Sequence, residues 1–320
     1  MPASPKVPRR SPKVPQSASL ISLLPDWIRE LRAQNKSPRT IRNYPRLLQH
    51  FCRYLSPDGD AAHCTITTTD VSRELLAGYF GYLYSIWSES SVQTAHIALS
   101  SFFHFCLEYD ELTGENPMRW VKRPKPIPKE TPILSDEEIR ALLATCDKSK
   151  AFMDKRDYAI LRTFLATGLR VDELGSLLLS EVHLDEGLIH IRRGKGGKPR
   201  TVAIGPKVVR ALGQYIHVRA RHLHVNLPDL WLGRRGKLQP ATIRWMVYKR
   251  AEEAGLEHLH PHMFRHWFAH GYLASGGQES DLLQLAGWSD SRMIRERYGA
   301  SRATERAVNE HHRLGIGEKF

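Results

Sequence analysis

Cysteine is scarce in this 320-residue chain: Cys52, Cys64, Cys106 and Cys146 stand far apart, with no CxxC spacing among them. Neither a zinc ribbon nor a disulfide framework fits that pattern, and no secretory signal precedes it, so a reducing cytoplasm is the expected compartment. Acidic residues are also in short supply. The 34 Asp and Glu against 47 Lys and Arg leave a formal charge of +13, spread along the chain rather than gathered in one tail. Such an excess favours a polyanionic partner, nucleic acid first, although a basic surface that binds nothing gives the same count and the motifs must decide. Long apolar runs are missing as well. The stretch Ser90 to Leu107 lacks Asp, Glu, Lys and Arg, yet Gln93, His96, His104 and its serines would be costly in hydrocarbon. It reads as a core helix, and no membrane partner is expected.

At roughly 150 residues per domain the length fits two domains, each able to bury its own core. Residues 1–18 carry a doubled Ser-Pro-Lys-Val-Pro with Arg9 and Arg10 between the copies, which makes an extended, disordered basic tail. Residues 19–118 read as all-helical. Ser37 caps a helix that has Pro38 in its first turn and Ile41, Tyr44, Leu48, Phe51 and Leu55 at helical spacing, with Pro45 expected to kink it. On that helix Arg39, Arg42, Arg46 and Arg53 share an exposed face, suited to phosphates or simply to solvent. Residues 119–132 (RWVKRPKPIPKETP) lack periodicity and are rich in proline and lysine, the marks of a semi-rigid linker.

Residues 133–320 form the second domain, opened by a capping box of Ser135 and Glu138. Its pattern is helical except for two β-type runs, Leu188 to Arg192 and Arg200 to Ile204, around the basic tip Gly194-Lys195-Gly196-Gly197. The fold class is therefore mainly α with a small antiparallel hairpin or sheet (α+β). Further helices are expected over 206–223, 242–254, 261–275, 280–286, 292–298 and 302–314.

Three short constellations bear on chemistry. In Thr167-Gly168-Leu169-Arg170-Val171-Asp172-Glu173-Leu174 the glycine permits a tight break, so Arg170 opens the next helix and Glu173, three residues on, can orient its guanidinium. A surface ion pair is the plainer reading. His260-Pro261-His262-Met263-Phe264-Arg265-His266 starts a helix at Pro261 and sets His262 and Arg265 on one face. The repeat His262, His266, His270 invites a metal reading, but bulky aromatic neighbours and the lack of a nearby acidic or cysteine cluster weigh against it, so no metal is expected. Finally Gly287-Trp288-Ser289-Asp290 is followed, ten residues after Trp288, by Tyr298 on an arginine-bearing segment. A core tyrosine and an exposed nucleophile both fit.

Order and company change the weighting. The motifs "TGLRVDEL", "GKGGKPR", "HPHMFRH" and "AGWSD…ERYG" in succession resemble the tyrosine recombinase (phage integrase) family, and "SPRTIRNY" with the later "ENP" is similar to that family's helical core-binding domain. The similarity covers residues 19 to 315. It implies a two-domain enzyme that cleaves and rejoins double-stranded DNA through a 3′-phosphotyrosyl bond. Arg170 and Arg265 would clamp the phosphate, Tyr298 would attack it, and Lys195, or alternatively Lys198, would protonate the leaving oxygen. His262 would assist proton transfer, Trp288 would give an indole contact where many members have histidine, and Glu173 would support the site. Arg39, Arg42, Arg46 and Lys198 become candidates for DNA contact. The resemblance further implies no cofactor, four protomers on paired DNA sites, and room for an accessory directionality factor. Two departures stand out: the interval from Trp288 to Tyr298 is one residue longer than the family's commonest, and Pro45 interrupts a helix.

The expected role is integration or excision of a phage or other mobile element in a nucleoid-associated, cytoplasmic setting. Chromosome-dimer resolution and type IB topoisomerase-like relaxation are the neighbouring alternatives. A non-catalytic DNA-binding regulator on the same scaffold, or a metal nuclease, is the reading from another class.

Overall fold

The computed structural model describes residues 18–127, 132–146, 151–192 and 199–288, together with 308, 311–313 and 315. The chain divides into two compact units, residues 1–127 and 128–320.

The first unit is built from four helices, α1 (Leu24–Ala33), α2 (Pro38–Leu55), α3 (Arg73–Ile86) and α4 (Glu89–Glu108), with short 3-10 turns after α2 and α4. Ser37 caps α2 as its sequence indicated, its hydroxyl accepting the Thr40 N–H at 3.1 Å. Satisfying one of the otherwise orphaned N–H groups in this way stabilises a helix by about 1 kcal/mol. The helix then runs on through Pro45 to Leu55, so the proline does not interrupt it. The missing N–H forfeits one backbone bond, and the ring is buried, as are Leu48, Phe51 and Cys52 of the same helix. Trp27 of α1 meets Phe102 of α4 edge-on at 5.2 Å, and the charge-free stretch of α4 is the unit's inner helix. On the opposite side of α2, Arg39, Arg42, Arg46 and Arg53 are all exposed.

The second unit is arranged around α6 (Phe152–Thr167), with α5 (Asp136–Ala144), α7 (Val171–Gly175), α8 (Pro206–Arg219), α9 (Pro240–Glu253), α10 (Pro261–Ala274) and α11 (Glu279–Ala286). Phe164 of α6 stacks on Phe264 of α10 at 5.3 Å. The expected hairpin is present as β2 (Leu188–Ile191) against β3 (Arg200–Ala203), antiparallel, with Ile191 opposite Arg200. A two-residue strand, β1 (Val182–His183), adds a third member, and β4 (Leu232–Gly233) pairs with β5 (Gly236–Lys237) elsewhere. Two residues are too few for alternation to show in a sequence, which is why only one hairpin was legible.

Helix α8 ends four residues before its expected limit. Arg219, 2% exposed, donates to the carbonyls of Val225, Leu227, Asp229 and Leu230 at 2.6 to 3.3 Å, and so folds the following loop back onto the helix end. The helices expected over 292–298 and 302–314 lie outside the described residues, save for Val308 and residues 311–313, which are helical.

A buried ion network holds α5, α6 and α9 together. Asp157 accepts from Nε and Nη2 of Arg156 at 2.9 and 2.8 Å and from Nε and Nη2 of Arg250 at 3.2 and 2.9 Å. Arg250 also reaches Asp154 at 2.6 Å and the Thr145 carbonyl at 3.0 Å. Removing the shared carboxylate strands Arg156 in the interior and takes from Arg250 its most deeply buried partner. Asp157→Ala is therefore expected to lower unfolding free energy by about 3–5 kcal/mol in urea titration; a loss below about 1 kcal/mol would show that the network adds little beyond a surface pair.

Candidate active site

Helix α6 stops at Gly168, whose left-handed backbone (φ +57°) turns the chain sharply. A Cβ there would also come within 2.7 Å of Phe268, so glycine is required twice over. The turn delivers Arg170 to the N-cap of α7. Glu173 then sits in the first turn and closes back on it: its Oε2 accepts the Arg170 backbone N–H at 3.0 Å and its Oε1 accepts Arg170 Nη1 at 2.9 Å. The pairing read from the three-residue spacing is thus present, but not on the surface. The Glu173 side chain is only 4% exposed.

A second guanidinium completes it. Arg200, the first residue of β3, donates Nη2 to Oε2 at 2.8 Å and Nη1 to Oε1 at 3.2 Å. Burial pushes the Glu173 carboxyl up, but the hydrogen bonds and charges of Arg200 and Arg170 outweigh this and hold it below its ordinary value. It therefore stays ionised at neutral pH.

Three arginines meet at the end of α11. Carbonyls of a helix's last turn have no intrahelical donor and lie at the negative end of its dipole, so they attract cations. Arg200 Nε donates to the Leu285 carbonyl at 2.8 Å, Arg265 Nη2 donates to that of Ala286, and Arg170 Nη2 reaches that of Gly287 at 3.4 Å. Arg265, on α10, is 1% exposed and also donates Nη1 to the Gly168 carbonyl at 3.0 Å, tying α11 to the turn that carries Arg170. Beyond the left-handed cap Gly287 (φ +61°), the Trp288 ring lies over the Arg265 guanidinium at 4.8 Å, a cation–π contact.

The structure therefore brings Arg170, Glu173, Arg265 and Trp288 into one cluster although they span more than a hundred residues. His262 is exposed on the first turn of α10, three residues before Arg265, with its ring edge-on to His266 at 4.6 Å. Lys195, Lys198 and Tyr298 lie outside the described residues. No group of three or more metal-ligating side chains occurs among the described residues. Arg200 was missed in the sequence. It stood inside "GKGGKPR", where the lysines drew attention, and its partner Glu173 is 27 positions away, beyond any local spacing rule.

Chemically, three guanidiniums and one carboxylate leave about two positive charges in a largely dry setting, of which Arg170, 25% exposed, is the most accessible. Planar, permanently charged donors in that number suit an anionic, phosphate-like group better than a neutral or cationic substrate.

Comparison with known proteins gives the family. The phage integrase family matches residues 132–305, and the family's N-terminal SAM-like domain matches residues 24–108. The tyrosine recombinase XerA of Thermococcus onnurineus is 32% identical over 81% of this chain and 84% of its own. The tyrosine recombinase XerC of Pelobacter propionicus is 30% identical over 79% and 82%. Among solved structures, the XerA recombinase superposes with a TM-score of 0.51 at 25% identity over 91% of this chain and 98% of that one. A lambda integrase dimer bound to a COC′ core site gives 0.70 at 17% identity over 89% and 79%, a likeness of fold alone. With its two units each matched by the corresponding domain, the chain belongs to the phage integrase family of tyrosine recombinases.

Proposed function

We propose that the chain is a site-specific recombinase that cleaves each DNA strand through a 3′-phosphotyrosyl bond at Tyr298 and integrates or excises a mobile element. The observation that carries the reading is that Arg170 and Arg265 grip adjacent carbonyls of one helix end, so their guanidiniums converge on a single small volume. A phosphodiester resists attack because its charge repels nucleophiles and its equatorial oxygens gain charge in the transition state. Two fixed guanidiniums offset that cost.

In the proposed cycle the Tyr298 phenol loses its proton, with help from His262, and its oxygen bonds to phosphorus. The bond from phosphorus to the 5′ oxygen breaks, and Lys195 protonates that oxygen. A phenol has a reference pKa of ~10, so the surrounding positive charge is what makes the phenolate accessible. One phosphodiester replaces another, so a 5′ hydroxyl from a partner strand can reverse the step without ATP. The exposed arginines of α2 are suited to neutralising backbone phosphates of the duplex. A solved lambda integrase tetramer on a Holliday junction supports four protomers as the working assembly. The mobile-element role rests on the segment after Tyr298, "GASRATERAVNEHHRL", which looks more like such integrases than like resolvases.

Incubated with a nicked duplex that traps the intermediate, the wild-type chain is expected to form a covalent adduct that peptide mapping assigns to Tyr298. Tyr298→Phe should form none while binding the duplex within about threefold, and Arg42→Ala should weaken binding on all sequences and reduce the salt slope by about 1. Adduct formation by Tyr298→Phe would refute the assignment.

Lys195→Ala is expected to slow cleavage by about 10²- to 10⁴-fold. A duplex with sulfur in place of the bridging 5′ oxygen should restore the rate, because a thiolate leaves without a proton. If the sulfur rescues Lys198→Ala and not Lys195→Ala, the acid is Lys198.

A further inference from the structure

Arg200 is the guanidinium of the cluster that carries no role in the scheme above. All three of its nitrogens are engaged within the protein: Nη1 and Nη2 on the two oxygens of Glu173, and Nε on the Leu285 carbonyl. Its side chain is 6% exposed. A guanidinium so consumed is not placed to take a phosphate. It is placed to hold other groups.

What it holds are the parts that must act together. Glu173 lies in the first turn of α7 and grips Arg170, whereas Leu285 lies in the last turn of α11, three residues before Trp288. The contact with α11 is close: a Cβ on Gly287 would come within 3.0 Å of Arg200 Nη1. Arg200 also begins β3, the strand that follows the lysine-bearing segment in the sequence.

Electrostatics points the same way. Arg170 and Glu173 alone sum to zero charge, so the carboxylate would cancel the cation just where a phosphate needs it. With Arg200 across the other face of the carboxylate the trio carries one net positive charge, and Arg170 keeps its pull on an anion. Bidentate pairing also fixes the carboxylate plane, and through it the direction in which Arg170 presents its remaining donors.

We propose that Arg200 is a positioning residue for strand cleavage, joining Glu173 to the end of α11 so that Arg170 is oriented and its charge is not cancelled. This inference rests on the recombinase reading. Lysine cannot take its place in full, since one ammonium cannot span both carboxylate oxygens and the Leu285 carbonyl with the same fork.

The test uses single-turnover cleavage of a nicked duplex, selected by the wild-type chain from a randomised-sequence pool, followed from acid to neutral pH. Arg200→Ala is expected to lower the cleavage rate by about ten- to hundredfold while changing affinity for the duplex less than about threefold. Arg170 from its own helix and Arg200 from β3 are the charged groups bearing on Glu173. Its depressed pKa means that the ion pairs are intact above that value and lost as pH falls through it. Removing Arg200 raises the value, so the acid limb of the rate profile should move to higher pH. Arg200→Lys should restore the acid limb and only part of the rate. Combined with Glu173→Gln, Arg200→Ala should add little further loss, because both act through one carboxylate.

A wild-type rate and unshifted acid limb for Arg200→Ala would overturn the proposal, as would independent, multiplying defects in the double variant. Should Arg200→Ala fail to fold, Arg200→Lys decides: a reduced rate with retained affinity supports the role, and a wild-type rate overturns it. If the wild-type chain itself yields no adduct on any duplex, the recombinase reading has failed. If wild type and Arg200→Ala yield adduct equally, only the role of Arg200 has.

Discussion

A carboxylate buried as deeply as that of Glu173 can remain ionised only where cations meet it, and the second unit is organised so that two do. Arg170 arrives from the turn after α6 and Arg200 from the start of β3, and both then continue to the end of α11. Arg265 joins from α10 and ties the same helix end to the Gly168 carbonyl. Four elements drawn from three separate stretches of the sequence are thereby fixed against one another by charge-assisted hydrogen bonds in a dry environment, where such bonds are strongest. Replacing any one cation leaves at least one helix-end carbonyl without its donor, which makes the cluster a fixed frame rather than an adaptable surface.

That frame relates directly to phosphoryl transfer. Without DNA the arginines face backbone carbonyls, whose partial negative charge holds them in place. A scissile phosphate offers a full charge and more acceptors; in the proposed scheme Arg170, a quarter exposed, engages it directly, whereas the buried Arg265 does so by exchanging a carbonyl partner for a phosphate oxygen. The Trp288 ring over Arg265 covers one face of that guanidinium and restricts it to in-plane partners.

Much of this was legible in the sequence, and the parts that were not share a cause. The capped start of α2, the inner helix α4, the β2–β3 hairpin and the Arg170–Glu173 pair all follow from spacing rules that operate within one element, and the chain shows them where expected. The motif order then pointed to the family. By contrast, the depth at which Glu173 is buried, the engagement of Arg200 and the meeting of three guanidiniums on Leu285, Ala286 and Gly287 are tertiary facts. No local period encodes them. The early stop of α8 belongs to the same class, because Arg219 draws in carbonyls from a loop whose path the sequence does not reveal. Pro45 departed in the other direction: a local rule forecast an interruption, and the helix runs on to Leu55 while the ring is buried.

The central claim is that two guanidiniums and one phenol act on a single phosphorus atom. A structure of Tyr298→Phe bound to its uncut duplex tests it most directly. The account predicts Arg170 and Arg265 both hydrogen-bonded to the non-bridging oxygens of one phosphate, residue 298 facing that phosphorus opposite the 5′ oxygen, and Glu173 still held between Arg170 and Arg200. A complex in which the two arginines remain on the α11 carbonyls while the phosphate nearest residue 298 is bound by other groups would contradict it.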